Sequence, residues 1–200
     1  MRRRAFDLLA SGVGLVLVVV LLAAGGFMMW GYTFATTNVR NNLAQQQIFF
    51  PPKEAFAHAK PGTEITPSMI PSVSKYAGQQ VLNGRQAQVY ANDFIAVHLS
   101  ELPQGGVYSK LSAAARANPN DTTLARAVQT SFQGTTVRGL LLQAYSFWVF
   151  GQIALWGGIV AFIAAFLLAL MVGLGLWHAR RVPSEEELLG SEPRPSQRTA

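Results

Sequence analysis

The 200-residue sequence contains no cysteine and little charge, with only 13% of its residues being Asp, Glu, Lys or Arg. The absence of cysteine excludes disulfide scaffolds, thiolate zinc sites, cysteine-ligated iron–sulfur clusters and cysteine nucleophiles. The sequence also lacks a G-x-S-x-G elbow, a P-loop and a G-x-G-x-x-G turn after a strand pattern. Serine hydrolase and nucleotide-binding functions therefore have no sequence support.

Half of the residues are hydrophobic, and they concentrate in two runs without any Asp, Glu, Lys or Arg. The first run is the 32 residues from Leu8 to Val39, and the second is the 41 residues from Gly139 to Ala179. At 1.5 Å per residue, each run is long enough to cross about 30 Å of hydrocarbon as a helix. The sequence predicts an all-α membrane protein with transmembrane helices at 8–31 and 147–177.

Basic residues flank the runs on their terminal sides, with Arg2, Arg3 and Arg4 before the first and Arg180 and Arg181 after the second. The nearest charges on the opposite flanks are the single arginines Arg40 and Arg138. Positive charge next to a span is retained on the cytoplasmic side. Both termini are therefore predicted to be cytoplasmic in a bacterial plasma membrane, with residues 1–7 and a disordered tail at 178–200 inside and the central region outside.

A competing interpretation of the N-terminus is a cleavable signal peptide, because three arginines, an aliphatic stretch and Ala23-Ala24-Gly25 resemble its three regions. The segment stays apolar through Trp30, beyond a normal processing site, which favours an uncleaved anchor. Cleavage would leave one span and a free external N-terminus.

The region at 32–146 is predicted to form a small, mainly helical extracytoplasmic bundle between the two spans. The first helix should extend outward to Ile48-Phe49-Phe50 before Pro51-Pro52, and a Pro-rich connector follows at 51–71. Apolar residues at helical spacing then predict three helices, around Ala87–Val97, Tyr108–Ala115 and Leu124–Phe132, the last capped by Asp121 or Thr122. Gly134-Thr135-Thr136 is expected to end the third helix and restart the chain. A domain without cysteine in this position suits a bacterial envelope.

Five small residues recur at intervals of four along the second run, namely Gly157, Ala161, Ala165, Ala169 and Gly173. Such stripes let helix backbones approach closely. We expect this face to pack against the first span or against a neighbouring copy of the chain.

Metal and acid–base chemistry are poorly supported, since the chain has only three histidines, one of which, His178, lies across the predicted membrane from the others. His98 shares a helix face with Glu101, Asp93 lies about one turn earlier, and His58 stands four residues after Glu54. A metal site usually needs three or four convergent ligands. Histidines making local hydrogen bonds are the favoured interpretation, and no metal, other cofactor or catalytic residue is predicted.

Four segments carry a resemblance to a known family: Arg2–Asp7, Tyr76–Gln80, Tyr90–Leu99 and Arg138–Tyr145. Together they resemble a family of small two-span membrane proteins of high-GC Gram-positive bacteria. The resemblance covers nearly the whole chain through Arg181. It implies the two-span topology, but it implies no catalytic residue. Some members carry the label aromatic ring-opening dioxygenase, which two external histidines without an iron-binding motif do not support.

Two functions fit this organisation. The first is a non-enzymatic cell-envelope protein whose outer helical domain binds another membrane or envelope component. The alternative is an extracytoplasmic ligand sensor, because occupancy of a bundle between two spans can shift one helix against the other. The expected partners are the lipid bilayer and a membrane protein or a second copy of the chain. Nucleic acid is not expected outside the cell.

Overall fold

The structure, a computed structural model, describes residues 3–181, so Arg2 and the predicted tail beyond Arg181 lie outside the described residues. The described residues form helices joined by turns and irregular segments, with no strand beyond an isolated bridge between Phe49 and Gln80. The α-helices are α1 Arg3–Gln46, α2 Ile70–Val73, α3 Gly84–Val89, α4 Ala96–Ser100, α5 Tyr108–Ala117 and α6 Thr122–Arg181. Short 3-10 turns lie at Lys53–His58, Pro67–Met69, Ser74–Tyr76 and Pro103–Gly106, and a π-helical segment at Tyr90–Ile95 joins α3 to α4.

The chain divides into two compact units. The helix pair comprises the described parts of Met1–Trp30 and Ala154–Ala200, and the central unit is Gly31–Ile153. Both α1 and α6 are long and apolar enough to cross a membrane. The charge-free runs thus correctly located the two longest helices.

Small residues hold the helix pair together. A Cβ added at Gly14 would lie 2.6 Å from Cγ2 of Val172, and one added at Gly175 would lie 2.8 Å from Oγ of Ser11. Gly25 meets the ring of Phe162 in the same way. The two helices are therefore antiparallel and in close contact, an approach that larger side chains would block.

Large apolar side chains point away from this contact. Val16, Phe166 and Met171 are 62%, 63% and 68% exposed. The buried positions of the pair are Ser11, Gly14, Val18, Gly25, Gly158, Ala161, Ala165, Val172 and Ala179. Water-soluble helices bury their large apolar residues, because removing that surface from water drives folding. The helix pair has the opposite distribution.

The central unit has a conventional hydrophobic core. It contains Val39, Leu43, Phe50, Ile65, Met69, Val73, Val81, Ala87, Val89, Ala91 and Leu141. Backbone hydrogen bonds pair the chain after α1 with the chain before α3, from the Phe50 amide to the Gln79 carbonyl and from the Val81 amide to the Ile48 carbonyl, both at 2.9 Å. This pairing fixes the segment 76–83 beside α1.

Two helix ends follow the sequence closely. Asp121 Oδ1 accepts hydrogen bonds from the Thr123 and Leu124 amides at 2.9 and 3.0 Å, which confirms the predicted cap of the helix beginning there. The α1 helix ends at Gln46, two residues before the predicted Ile48–Phe50 boundary, and Gln47 takes a positive φ of 51°.

The expected break at Gly134-Thr135-Thr136 is wrong, since α6 continues without interruption from Thr122 to Arg181. Gly134 packs against Leu99, whose Cδ2 would be 2.7 Å from an added Cβ. The Thr136 hydroxyl donates to the Phe132 carbonyl one turn back at 2.8 Å. Glycine serves here for close packing and threonine bonds within the helix, so neither residue ends it.

Candidate functional site

A polar cavity of about 470 Å³ lies within the central unit, where α1 and α6 meet the segment that leads into α3. It is lined by Tyr32, Thr36, Arg40, Tyr76, Leu82, Asn83, Arg85, Trp148 and Gln152. Two of these residues are cationic and none is acidic. The lining combines guanidinium, aromatic, hydroxyl and amide groups, which can donate hydrogen bonds to an anion.

Arg40 and Arg85 are both solvent-exposed. Within residues 5–181, no carboxylate lies in ion-pair contact with either guanidinium. Arg85 Cζ lies 5.9 Å from the centre of the Trp148 ring, within the range of a cation–π contact. The cavity therefore presents two positive charges that the surrounding protein does not neutralise.

The backbone that carries Arg85 is fixed against α6. Gly84 lies so close to Trp148 that an added Cβ would overlap the Trp148 side chain. Trp148 in turn stacks on Tyr145, with ring centres 6.4 Å apart. The close approach at Gly84 sets the position of the Arg85 backbone relative to the indole ring.

A hydrogen-bond network around the buried Gln86 fixes the neighbouring wall. Asn83 caps α3 by accepting from the Gln86 amide at 3.0 Å, while Gln86 Oε1 accepts from the Leu82 amide at 2.8 Å and from Asn83 Nδ2 at 3.0 Å. Gln86 Nε2 donates to Gln79 Oε1 at 3.1 Å. The arrangement differs from a capping box in that Gln86 accepts from the Leu82 amide, one residue before the cap, and from the Asn83 side chain instead of from the Asn83 amide. Leu82 and Asn83 are thereby held at the cavity by satisfied bonds.

Two other cavities in the central unit differ in chemistry. A groove of about 520 Å³ between α1 and α6 has apolar and amide side chains and no charged residue in its lining. A cavity of about 400 Å³ is mainly apolar and includes Tyr90 and His98. Of the three, only the cavity with Arg40 and Arg85 has more than one charged group available to a ligand.

None of the histidines lines the polar cavity. His98 Nδ1 lies 2.9 Å from the Phe94 carbonyl oxygen, and Nε2 lies 2.9 Å from the Glu64 carbonyl oxygen. Both ring nitrogens thus face backbone acceptors. Among residues 3–181, the structure gathers no group of three His, Asp or Glu side chains able to hold a metal ion, so Asp93, Glu101, Glu54 and His58 do not converge with His98.

The half-buried phenol of Tyr90 lines the mainly apolar cavity. Burial and, to a smaller extent, the negative charge of Glu64 raise the pKa of Tyr90 above its ordinary value. The phenol is therefore neutral at physiological pH. Its neutral form favours the folded state, and that contribution is lost as the pH rises through the raised pKa.

The small-residue stripe divides between two environments in the helix pair. Ala161 and Ala165 are 9% and 1% exposed, and Gly157 is half-buried beside Met28. Ala169 and Gly173 are exposed. The contact face of α6 continues instead through Val172, Gly175 and Ala179. Whether the stripe has a role in pairing between chains stays a prediction.

The terminal arginines occupy the ends of the long helices. Arg3 and Arg4 lie in the first turn of α1, and Arg180 and Arg181 lie in the last turn of α6. Arg181 Cζ is 4.1 Å from the centre of the Trp177 ring. Arg138, on the other flank of the second run, is half-buried and donates to Asn92 Oδ1 at 3.0 Å.

The sequence shows Arg40 only as a single charge flanking the first run, and nothing in it associates Arg40 with Arg85. The cavity draws its lining from residues 32–40, 76–85 and 148–152, which are distant in the sequence. Tyr32 and Trp148 near the ends of the charge-free runs were the available signal, since aromatic residues favour membrane interfaces.

The sequence matches no family model and no curated protein, and no solved structure matches the chain.

Proposed function

We propose that the chain is a two-span protein of the bacterial plasma membrane, with both termini inside. Its central unit is a non-enzymatic binding domain on the outer face that engages another membrane or envelope component. Membership of the family of small two-span membrane proteins that the sequence resembles is part of this proposal. The observation that carries the binding role is the cavity with two unneutralised arginines.

The membrane assignment draws support from the burial of the long helices. In the most apolar 18-residue window of each helix, only 22% of α1 and 17% of α6 is buried. A core helix of a water-soluble protein would be mostly buried. Helices with large apolar side chains outward and small ones in contact suit lipid as the surrounding solvent.

The orientation rests on charge. The first turn of α1 and the last turn of α6 carry pairs of arginines, and Arg2 adds a third at the N-terminus. Arg40 and Arg138 are single charges on the opposite flanks. This asymmetry of positive charge favours a topology in which both termini lie in the cytoplasm and the central unit lies outside.

A binding role accounts for the central unit better than a hydrolytic one. His98, which lines the mainly apolar cavity, has both ring nitrogens directed at backbone carbonyls, so neither is directed at a substrate. A general base must instead lie within hydrogen-bond reach of the proton it removes. The polar cavity supplies donors and positive charge, which are the groups needed to hold a ligand.

Site-specific photocrosslinking in native membranes tests this function. A photoreactive amino acid at Leu82, in the cavity wall, is expected to capture an envelope component, whereas the same amino acid at the exposed Val107, outside the lining, is expected to capture little. Mass spectrometry of the crosslinked products measures both. Equal capture at the two positions, or none at Leu82, would overturn the binding role of the cavity.

A sensor is the second candidate, and the origin of the cavity walls favours it. Tyr32 and Arg40 belong to α1, and Trp148 and Gln152 belong to α6. A ligand contacting both helices would bias their relative positions within the central unit. Hydrogen exchange at the outer ends of α1 and α6 that changes on ligand addition would favour sensing over simple binding.

A further inference from the structure

We propose that the cavity lined by Arg40, Arg85 and Trp148 binds the phosphate of an anionic lipid headgroup. This inference rests on the proposed function, because it identifies the chemical class of the envelope component. The recognised chemistry is a phosphate oxyanion, which a lipid or a soluble phosphate can supply.

Charge complementarity is the first step. Two guanidinium groups line one cavity, no lining residue is acidic, and neither arginine has a carboxylate partner within residues 5–181. Guanidinium presents a planar fork of N–H donors that matches two phosphate oxygens. An anion with several acceptor oxygens fits this lining, whereas a cation would meet only like charge.

The aromatic groups supply the second step. The Trp148 ring lies beside Arg85 and faces the same cavity, and Tyr32 and Tyr76 add two more rings. Tryptophan and tyrosine combine an apolar body with a polar tip and concentrate at the headgroup level of bilayers. The lining therefore contacts both the phosphate and the apolar part of a lipid near it.

Position in the sequence is the third step. Tyr32 and Thr36 belong to the first charge-free run, and Arg40 is the first charge after it. From Tyr32 to Arg40 an α-helix rises about 12 Å, which exceeds the roughly 5–8 Å between the hydrocarbon and the outer edge of the headgroups. With the hydrocarbon boundary at residue 31, the end of the predicted first span, a cavity that starts at Tyr32 and ends at Arg40 spans the depth at which lipid phosphates lie.

The cavity size agrees with a headgroup. Its volume of about 470 Å³ falls within the range of small-ligand sites. Thr36 contributes little to the ligand, because its hydroxyl already donates to the Tyr32 carbonyl at 2.8 Å. The Gln152 amide is a neutral donor in the same lining.

The test uses the purified full chain in neutral detergent, with native mass spectrometry to count bound phosphatidylglycerol and phosphatidylcholine. We expect phosphatidylglycerol to be retained in preference to phosphatidylcholine. Arg40→Gln with Arg85→Gln should weaken that retention by about tenfold or more for the pair. Arg116→Gln removes the same charge from α5, outside the cavity, and should change retention less than about twofold.

Arg85→Lys keeps the positive charge but loses the planar pair of N–H donors. Its retention of phosphatidylglycerol should lie between that of the unsubstituted chain and that of the double variant. Thermal unfolding of each variant checks that it is folded. Unchanged retention in the double variant, or an equal loss in Arg116→Gln, would overturn the inference. Inorganic phosphate or glycerol phosphate that competes at millimolar concentration would overturn the lipid as the source and assign the site to a soluble phosphate.

Failure here is distinguishable from failure of the proposed function. If the double variant retains phosphatidylglycerol normally while Leu82 still captures an envelope component, the binding function stands and the phosphate assignment falls. If Leu82 captures nothing, the proposed function falls whatever the lipid retention.

Discussion

Gly106→Ala is expected to lower the free energy of unfolding of the central unit by about 2–5 kcal/mol, combining overpacking with backbone strain. An added Cβ would overlap the Leu99 carbonyl oxygen, and Gly106 has a positive φ of 69°. The Gly106 carbonyl also accepts a 2.7 Å hydrogen bond from the fully buried Ser131 hydroxyl. Moving this backbone to relieve the overlap would therefore break a buried bond. Thermal unfolding in detergent, monitored by tryptophan fluorescence, measures the loss of stability.

Gly105→Ala is the matched control for this substitution. Gly105 has a similar φ of 63°, but nothing lies within 4 Å of an added Cβ. We expect only the cost of the left-handed backbone, about 1 kcal/mol. Equal losses in the two variants would show that the contact with Leu99 does not hold this turn.

The combined substitution Ile163→Lys with Leu167→Lys is expected to abolish stable membrane insertion of α6. Both side chains are 55% exposed on the helix pair and lie one turn apart. In a bilayer, a lysine near the centre of a span costs about 2.5–3.5 kcal/mol, so the pair should cost about 5–7 kcal/mol. Resistance to carbonate extraction from membranes measures insertion.

The same two charges placed on the central unit provide the control. Ile70 and Val107 are also exposed apolar residues, at 37% and 43%, and their replacement by lysine should leave the chain in the membrane fraction. In a water-soluble protein, lysines at 163 and 167 would instead be tolerated and improve solubility. A folded, soluble double variant would contradict the membrane assignment.

The two longest helices could be predicted from the sequence because each charge-free run is longer than 30 residues. A run of that length and composition is sufficient for a helix that could cross a membrane. The Asp121 cap was also readable, since one side chain satisfies nearby amides. By contrast, Gly134 looked like a break because a glycine used for packing against Leu99 has the same sequence signature as one that ends a helix.

The contact face of α6 could be predicted only in part because helices have 3.6 residues per turn. A spacing of four residues advances about 40° too far at each step, so a stripe of five positions turns away from its partner. The face that α6 buries instead alternates steps of three and four, as in Gly158, Ala161 and Ala165. That seven-residue repeat drifts much less. Ala169 and Gly173 therefore lie outside the contact between α1 and α6.

The candidate site could not be predicted because its parts come from three separate segments. The pairing of residues 48–50 with 79–81 carries Tyr76 and Arg85 to α1 and α6. Those bonds join backbone groups, which every residue has, so no side-chain pattern reports them. Gly84 allows the close approach of Trp148, and no sequence pattern indicates this contact either.

Thiol labelling in intact cells tests the central claim most directly, and it is clean because the chain has no cysteine of its own. Ser109, exposed in the central unit, and Ser184, beyond the second run, are each replaced by cysteine and treated with a membrane-impermeant maleimide. The two-span account predicts labelling of Ser109→Cys in intact cells and of Ser184→Cys only after permeabilisation, with the labelled chain at its full 21.7 kDa plus the reagent. Protection of Ser109→Cys in intact cells, labelling of Ser184→Cys from outside, or a chain shortened at its N-terminus would contradict it.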